Sequence, residues 1–257
     1  SGRRAHHPRA RHGLIGTPHR PTRQRARALS CSASRVIDVP ALVEQIRAGR
    51  PRGVARGISL IEQGHHTARD VLAGLTERKG HAHVVGLTGA PGVGKSTTMN
   101  AIVRELRSRG RVVGVLAVDP SSPFSGGALL GDRIRMEEHA TDAGVFLRSM
   151  ASRGHLGGVA AATTQAVRVM EAAGCDVVLI ETVGVGQSEV EVVVLADTTV
   201  VLLAPGLGDG IQAAKAGILE IGDVFVVNKA DRDGADNTVR DLRHMIQMAD
   251  RSEPGLW

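Results

Sequence analysis

Residues 89–96 constrain the fold of this chain more than any other segment. They read Gly-Ala-Pro-Gly-Val-Gly-Lys-Ser, follow the apolar run 84–87, and precede a segment with helical periodicity that begins near Lys95. In such a pattern the glycines let successive backbone N–H groups turn toward phosphate oxygens, while the lysine supplies positive charge and the serine hydroxyl can ligate Mg²⁺. The strand–loop–helix order therefore predicts a phosphate-binding loop that holds a nucleoside triphosphate.

The loop and the start of its helix are the predicted nucleotide contacts. Lys95 is also a predicted catalytic residue, because its ammonium group can stabilise charge on the β and γ phosphates. Ser96 is a predicted Mg²⁺ ligand. The predicted contacts in this segment are Gly89, Ala90, Pro91, Gly92, Val93, Gly94, Lys95, Ser96 and Thr97.

Short apolar segments alternate with longer amphipathic ones from residue 81 onward. This alternation is typical of an α/β fold, a P-loop NTPase with a doubly wound, mostly parallel sheet flanked by helices. Apolar positions at helical spacing in residues 36–80 predict an N-terminal extension of two or three short helices. Strands are predicted at 84–88, 112–118, 145–148, 176–181, 199–203 and 223–227, and helices at 95–109, 132–140, 158–173, 209–220 and 236–249.

Basic residues are concentrated at the start of the chain. Residues 1–35 contain nine Arg and no acidic residue, whereas the remainder has 23 basic and 26 acidic residues. The composition of the first 35 residues predicts disorder, and a transit peptide, a metal- or polyanion-binding arm and a segment without function are the alternatives. The mildly acidic body and the 2% aromatic content argue against a nucleic-acid partner.

Neither a membrane span nor a disulfide is expected. No run approaches the roughly 18 apolar residues that a spanning helix needs. Cys31 and Cys175 lie far apart and belong to no CxxC or CxH pattern, which favours a reducing compartment. We therefore expect a cytoplasmic protein, or one of the mitochondrial matrix if the basic start is a transit peptide.

Three carboxylates follow predicted strands on the side where the phosphate loop is expected. Asp119 ends the segment 112–118, Asp132 follows a loop rich in Ser and Gly, and Glu181 ends the segment 176–181. Mg²⁺ prefers hard oxygen ligands. Ser96, Asp119, Asp132 and Glu181 are therefore the candidate metal ligands.

The run after Glu181 has the composition of a nucleotide-sensing switch. The backbone N–H of Gly184 could bond a γ-phosphate, and the glycine-rich segment 184–188 could move when that contact is lost. Gln187 could orient the attacking water, as hydrolytic glutamines do. Gly184 is thus a candidate nucleotide contact and Gln187 a candidate catalytic residue.

Residues 228–231 read Asn-Lys-Ala-Asp and follow the last predicted strand. A carboxylate at Asp231 can accept hydrogen bonds from the guanine N1–H and 2-amino group, whereas adenine offers neither donor there. Asn228, Lys229 and Asp231 therefore predict GTP and GDP as the nucleotides.

Taken together, these runs resemble the MeaB/ArgK/MMAA family of P-loop GTPases. The match rests on 86–100, 118–122, 125–133, 153–158, 181–189 and 215–218, and it spans roughly residues 38–250. The resemblance implies a GTPase domain over 81–257 that serves adenosylcobalamin-dependent methylmalonyl-CoA mutase, gating cofactor loading and removal of damaged cofactor. It implies no direct cobalamin binding by this chain.

The resemblance also implies a third switch at 204–215, with Lys215 as a catalytic residue that stabilises charge in the partner complex. The family has a larger or acidic residue where this chain has Gly210. It also continues past Trp257 with a final strand, a second guanine-contacting loop and a dimerisation arm. A homodimer is thus expected for the family, and truncation for this chain.

Two alternatives of other function remain open on the sequence. A nickel-insertion GTPase of the hydrogenase or urease maturation type would use the His-rich start, although no Cys/His pair lies near the switch region. An ATP-dependent kinase linked to amino-acid transport would prefer adenine, against which the Asn-Lys-Ala-Asp run argues.

Overall fold

The described part of the chain is built from six helices and six strands. The computed structural model describes residues 37–75, 82–119, 139, 141–151, 158–182, 195–206 and 221–252. In chain order the elements are α1 (Val39–Arg47), α2 (Pro51–Glu62), α3 (Thr67–Leu75), β1 (His83–Gly89), α4 (Lys95–Ser108), β2 (Val113–Asp119), β3 (Val145–Ala151), α5 (Gly158–Ala172), β4 (Val177–Thr182), β5 (Thr198–Leu203), β6 (Val224–Val227) and α6 (Ala235–Ser252).

The six strands form one sheet in the order β3-β2-β4-β1-β5-β6, and every paired neighbour is parallel. β1 lies between β4 and β5, so the loop that follows it opens at the carboxyl edge of the sheet, near its middle. Ligands of doubly wound sheets bind at this edge. The predicted α/β fold with a parallel sheet is confirmed.

Helices cover both faces of the sheet because its strands are apolar on both sides. One buried cluster joins α4 to the sheet through Leu87, Met99 and Val103. The larger cluster joins α1, α2, α3 and α5 to the opposite face. In β4, Val178 and Ile180 belong to the larger cluster and Leu179 to the α4 cluster. This alternation directs the next side chain, that of Glu181, toward α4.

The helix ends are set by local sequence. Asp38 caps α1 by accepting a hydrogen bond from the Ala41 N–H at 3.0 Å. At the end of α4, Gly110 has φ +72°, its N–H bonds the Arg107 carbonyl, and the Arg111 N–H bonds the Leu106 carbonyl. That pair of bonds is a Schellman motif, which needs a left-handed residue and so favours glycine.

The three N-terminal helices are part of the same core as the sheet. Ile46 and Ile58 are fully buried in the cluster that also contains sheet residues. Arg148 of β3 bonds the Ser59 hydroxyl at 2.8 Å and forms an ion pair with Glu62, which ties α2 to the edge of the sheet.

All six predicted strands are confirmed, with ends that differ by at most three residues. The N-terminal extension contains three helices, at the upper end of the predicted two or three. The predicted helix 209–220 and residues 1–35 lie outside the described residues, as does the predicted helix 132–140 except for residue 139. Among the helices that the structure describes, none is long and apolar enough to cross a membrane.

Candidate nucleotide-binding site

The glycine-rich loop lies between β1 and α4 and surrounds the amino group of Lys95. Lys95 Nζ donates to the Gly89 carbonyl at 2.6 Å and approaches the Ala90 carbonyl at 3.4 Å. The Val93 N–H closes the loop on the Ala90 carbonyl at 3.3 Å. The ammonium group is therefore positioned over the loop by backbone oxygens, where it can meet phosphate oxygens.

Gly94 starts α4 in a conformation that other residues rarely adopt. Its φ is +101°, and a Cβ at this position would lie 2.4 Å from Asn228 Nδ2. Gly94 is the N-cap residue of this helix and has no side chain with which to cap it. The N-terminus of α4 therefore faces the loop without a side-chain cap from Gly94, as in phosphate sites at helix N-termini.

Ser96 and Glu181 meet at the predicted metal position. Ser96 Oγ donates to Glu181 Oε1 at 2.7 Å, and Glu181 is buried at the end of β4. A hydroxyl and a carboxylate this close are a hard-oxygen pair of the kind that Mg²⁺ takes from a protein while keeping several waters. The two residues therefore fit a Mg²⁺ ion that accompanies the nucleotide.

The Asn-Lys-Ala-Asp run is bonded directly to the phosphate loop. Asn228 Nδ2 donates to the Val93 carbonyl at 2.7 Å, and Lys229 Nζ donates to the Gly92 carbonyl at 2.6 Å. The Asn228 N–H bonds the Leu203 carbonyl of β5 at 2.8 Å, and Lys229 has φ +56°. These contacts join residues about 135 positions apart into one site. The sequence predicted both segments but gave no signal for the bonds between them.

The remaining predicted contacts differ in position. Thr97, Pro91 and Asp231 are exposed, and Asp231 lies in the turn after Lys229 with its carboxylate accessible to a ligand.

Asp119 is the last residue of β2, at the carboxyl edge of the sheet. Its side chain and the residues Asp132, Gly184, Gln187 and Lys215 lie outside the described part of the chain. Within that part, no three His, Cys, Asp or Glu side chains form a group that could hold a metal ion.

A parallel sheet with a glycine-rich loop after its central strand, and an Asn-Lys-x-Asp run bonded to that loop, defines a P-loop nucleotide-binding protein of the GTPase class. The chain belongs to the family described as Methylmalonyl Co-A mutase-associated GTPase MeaB, whose model matches residues 54–257. The predicted family is thereby confirmed.

Relatives with known names or structures agree with this membership. A GTPase-family protein of Pyrococcus abyssi is 53% identical over 207 residues, which are 80% of this chain and 64% of that protein. The mouse protein named methylmalonic aciduria type A homolog, mitochondrial, is 40% identical over 74% of this chain and 50% of its own length. The crystal structure of a protein named LAO/AO transport system kinase has a TM-score of 0.62 and 31% identity, covering 85% of this chain and 65% of that one.

Proposed function

We propose that this chain binds GTP and GDP with Mg²⁺, hydrolyses GTP, and uses its nucleotide state to gate adenosylcobalamin loading and protection of a methylmalonyl-CoA mutase. The observation that carries the proposal is the pair of bonds from Asn228 and Lys229 to the phosphate loop, in a chain that belongs to the MeaB family. The family description names the mutase, and its role as the partner of this chain is proposed.

We assign the selection of guanine to Asp231. Asn228 and Lys229 are bonded to the loop carbonyls, and the exposed Asp231 follows two residues after Lys229. A carboxylate there accepts two hydrogen bonds from guanine, and adenine would leave it unpaired. The arrangement supports a preference for GTP over ATP.

Hydrolysis breaks the bond between the γ-phosphorus and its bridging oxygen, with water as the nucleophile. In this proposal Lys95 stabilises charge on the β and γ oxygens, and Ser96 with Glu181 would hold Mg²⁺, which would supply further positive charge when bound. We assign water orientation to Gln187 and γ-phosphate sensing to Gly184. Lys215 is assigned charge stabilisation in the partner complex, and Asp119 and Asp132 further metal ligation.

An ATP-dependent kinase is the second candidate, because one similar solved structure is that of a protein named LAO/AO transport system kinase. The two candidates differ in base preference and in acceptor. A GTPase transfers the phosphoryl group to water and releases inorganic phosphate, whereas a kinase would transfer it to an acceptor molecule other than water.

Hydrolysis and partner binding test the proposal together. We expect GTP-dependent phosphate release that rises when purified methylmalonyl-CoA mutase is added, and mutase binding that differs between GDP and a non-hydrolysable GTP analogue. Lys95→Ala should abolish release, and Lys215→Ala should remove the mutase-dependent increase only. Phosphate release with ATP alone, or mutase binding that ignores the nucleotide, would contradict the proposal.

A further inference from the structure

A groove of about 820 Å³ runs along α3 and α5, away from the nucleotide site. Its lining comes from the end of α2, the turn that follows, one face of α3, and Gln165 and Arg168 of α5. The most buried lining residues, Ile61 and Ala68, are apolar, and the half-buried Leu72 packs against the same core. The groove therefore combines an apolar interior with a polar border.

The polar border has an excess of positive charge. Arg69 and Arg168 both line the groove and are exposed, and neither guanidinium group makes an ion pair with a described residue. No Asp or Glu belongs to the described lining. Two cations on one groove, with neither an ion-pair partner nor a lining carboxylate among the described residues, favour an anionic occupant.

The two histidines of the turn add hydrogen-bond donors to this border. His65 Nδ1 accepts the Thr67 N–H at 3.2 Å, which leaves Nε2 as the ring nitrogen that carries the proton in the neutral form. The rings of His65 and His66 are stacked, with centroids 4.3 Å apart. Every charged or ring group on the described border can therefore donate to an acceptor.

The length of the groove suits a short helix. The lining face of α3 and its preceding turn runs from His65 to Ala73, a length of about 12 Å at about 1.5 Å per residue. That length accommodates two turns of a docked helix. Gly64, His66, Arg69, Ala73 and Arg168 are exposed, so the groove is open to solvent along one side. Grooves of this kind receive the apolar face of an amphipathic helix.

We propose that this groove docks an acidic amphipathic helix of the mutase partner, with the partner's apolar side chains against Ile61 and Leu72 and its carboxylates beside Arg69 and Arg168. The inference rests on the proposed function, because the partner is the one named there. It adds a second surface, since none of the described nucleotide-binding residues lines the groove.

The test is binding of purified methylmalonyl-CoA mutase to the chain, measured by biolayer interferometry alongside GDP affinity and thermal melting. The test variant is Arg69→Glu/Arg168→Glu. Its matched control is Arg240→Glu/Arg243→Glu, which makes the same charge change on two exposed residues of α6. Ala73→Trp adds bulk to the groove without changing its charge.

We expect the groove variant to weaken mutase binding at least tenfold, the α6 control to change it less than twofold, and all variants to bind GDP as the parent does. Ala73→Trp should weaken mutase binding as well. Parent binding should fall as NaCl rises from about 0.05 M to about 0.2 M, and less steeply in the charge-reversed variant.

Two results would overturn the groove alone: mutase binding unchanged in the Arg69/Arg168 variant, or an equal loss in the α6 control. A parent chain that binds GDP but not the mutase would reject both the groove and the proposed partner. A parent chain that fails to bind GDP would reject the proposed nucleotide function independently of the groove.

Discussion

At the scale of single residues, the site depends on a few atoms held at short distances. Ser96 Oγ and Glu181 Oε1 are 2.7 Å apart although the residues lie 85 positions apart in the chain. The sequence predicted both residues as metal ligands, together with Asp119 and Asp132, because the carboxyl ends of parallel strands meet at one edge; the hydrogen bond between them is a finding of the structure. Nor did the sequence predict the contact of Gly94 with Asn228, since that contact depends on the exact path of two loops.

Replacing Ser96 with Ala should reduce the dependence of nucleotide binding on Mg²⁺. The variant removes the hydroxyl beside Glu181. We expect the factor by which Mg²⁺ strengthens GTP binding to be at least tenfold smaller than in the parent, a difference of about 1.4 kcal/mol. Calorimetry with Mg²⁺ and with EDTA measures the effect. Ser96→Thr keeps the hydroxyl and should keep the Mg²⁺ dependence. A Ser96→Ala protein with the parent's Mg²⁺ dependence would exclude this residue as a ligand.

Gly94→Ala should damage both stability and nucleotide binding. Its Cβ would lie 2.4 Å from Asn228 Nδ2, and its φ is +101°. Gly110→Ala is the matched control, because Gly110 also has a positive φ, +72°, but a Cβ there would meet nothing within 4 Å. The control should lose about 1–2 kcal/mol, the cost of a left-handed alanine. Gly94→Ala should lower the free energy of unfolding, measured in urea, by more than the control does, and should weaken GDP binding at least tenfold. Equal losses in the two variants would contradict the contact with Asn228.

Cys175 should be unreactive in the folded chain and should make stability fall in alkali. Burial, followed by the charges of Asp176 and Glu171, raises the pKa of its thiol to about 12. Above the ordinary thiol pKa the unfolded chain releases this proton and the folded chain keeps it, so unfolding is favoured as pH rises. The expected slope between about pH 9 and about pH 12 is at most about 1.4 kcal/mol per unit.

Urea unfolding at several alkaline pH values measures that slope, and Cys175→Ala should lack this part of it. In a Cys31→Ser background, a thiol reagent at about pH 8 should label Cys175 no faster than the chain opens. Rapid labelling of the folded chain, or identical slopes with and without Cys175, would contradict the buried neutral thiol.

At the scale of elements, the sequence predicted the strands well because each is a short apolar run bounded by Gly, Asp or a polar turn. The apolar run before Glu181 and the run before Asn228 are examples, and both became parallel strands of one sheet. The sequence did not predict which face of the sheet the N-terminal helices cover. Their periodicity predicts an apolar face, but which face of the sheet it covers depends on contacts such as that of Arg148 with Glu62.

Breaking the Arg148–Glu62 pair should destabilise the link between α2 and β3. The Glu62 side chain is only 9% exposed and that of Arg148 23%, so Glu62→Gln leaves a poorly hydrated cation and should cost about 1–3 kcal/mol. Glu105→Gln is the control, because the Arg109–Glu105 pair at the C-terminal end of α4 is 69% and 61% exposed and should contribute less than about 0.5 kcal/mol. Urea unfolding compares the two variants. If Glu62→Gln lowers the free energy of unfolding no more than Glu105→Gln does, the Arg148–Glu62 pair does not stabilise the contact between α2 and β3.

At the scale of the whole molecule, the described residues bring the glycine-rich loop, the Ser96–Glu181 pair and the Asn-Lys-Ala-Asp run to one edge of a parallel sheet. The helices on the opposite face form a second surface, the groove of α3 and α5. This chain spans 64% of the relative from Pyrococcus abyssi, so the activity of the complete protein is proposed from the site and the family. The central claim is that the site selects guanine nucleotides.

Competition against a fluorescent guanine nucleotide tests that claim most directly. GDP and ADP are titrated separately in the presence of Mg²⁺, on the parent chain and on Asp231→Ala. We predict that GDP competes at least tenfold better than ADP and that the variant loses this preference, because only guanine donates two hydrogen bonds to the carboxylate. Equal competition by ADP on the parent chain, or an undiminished GDP preference in Asp231→Ala, would contradict the account.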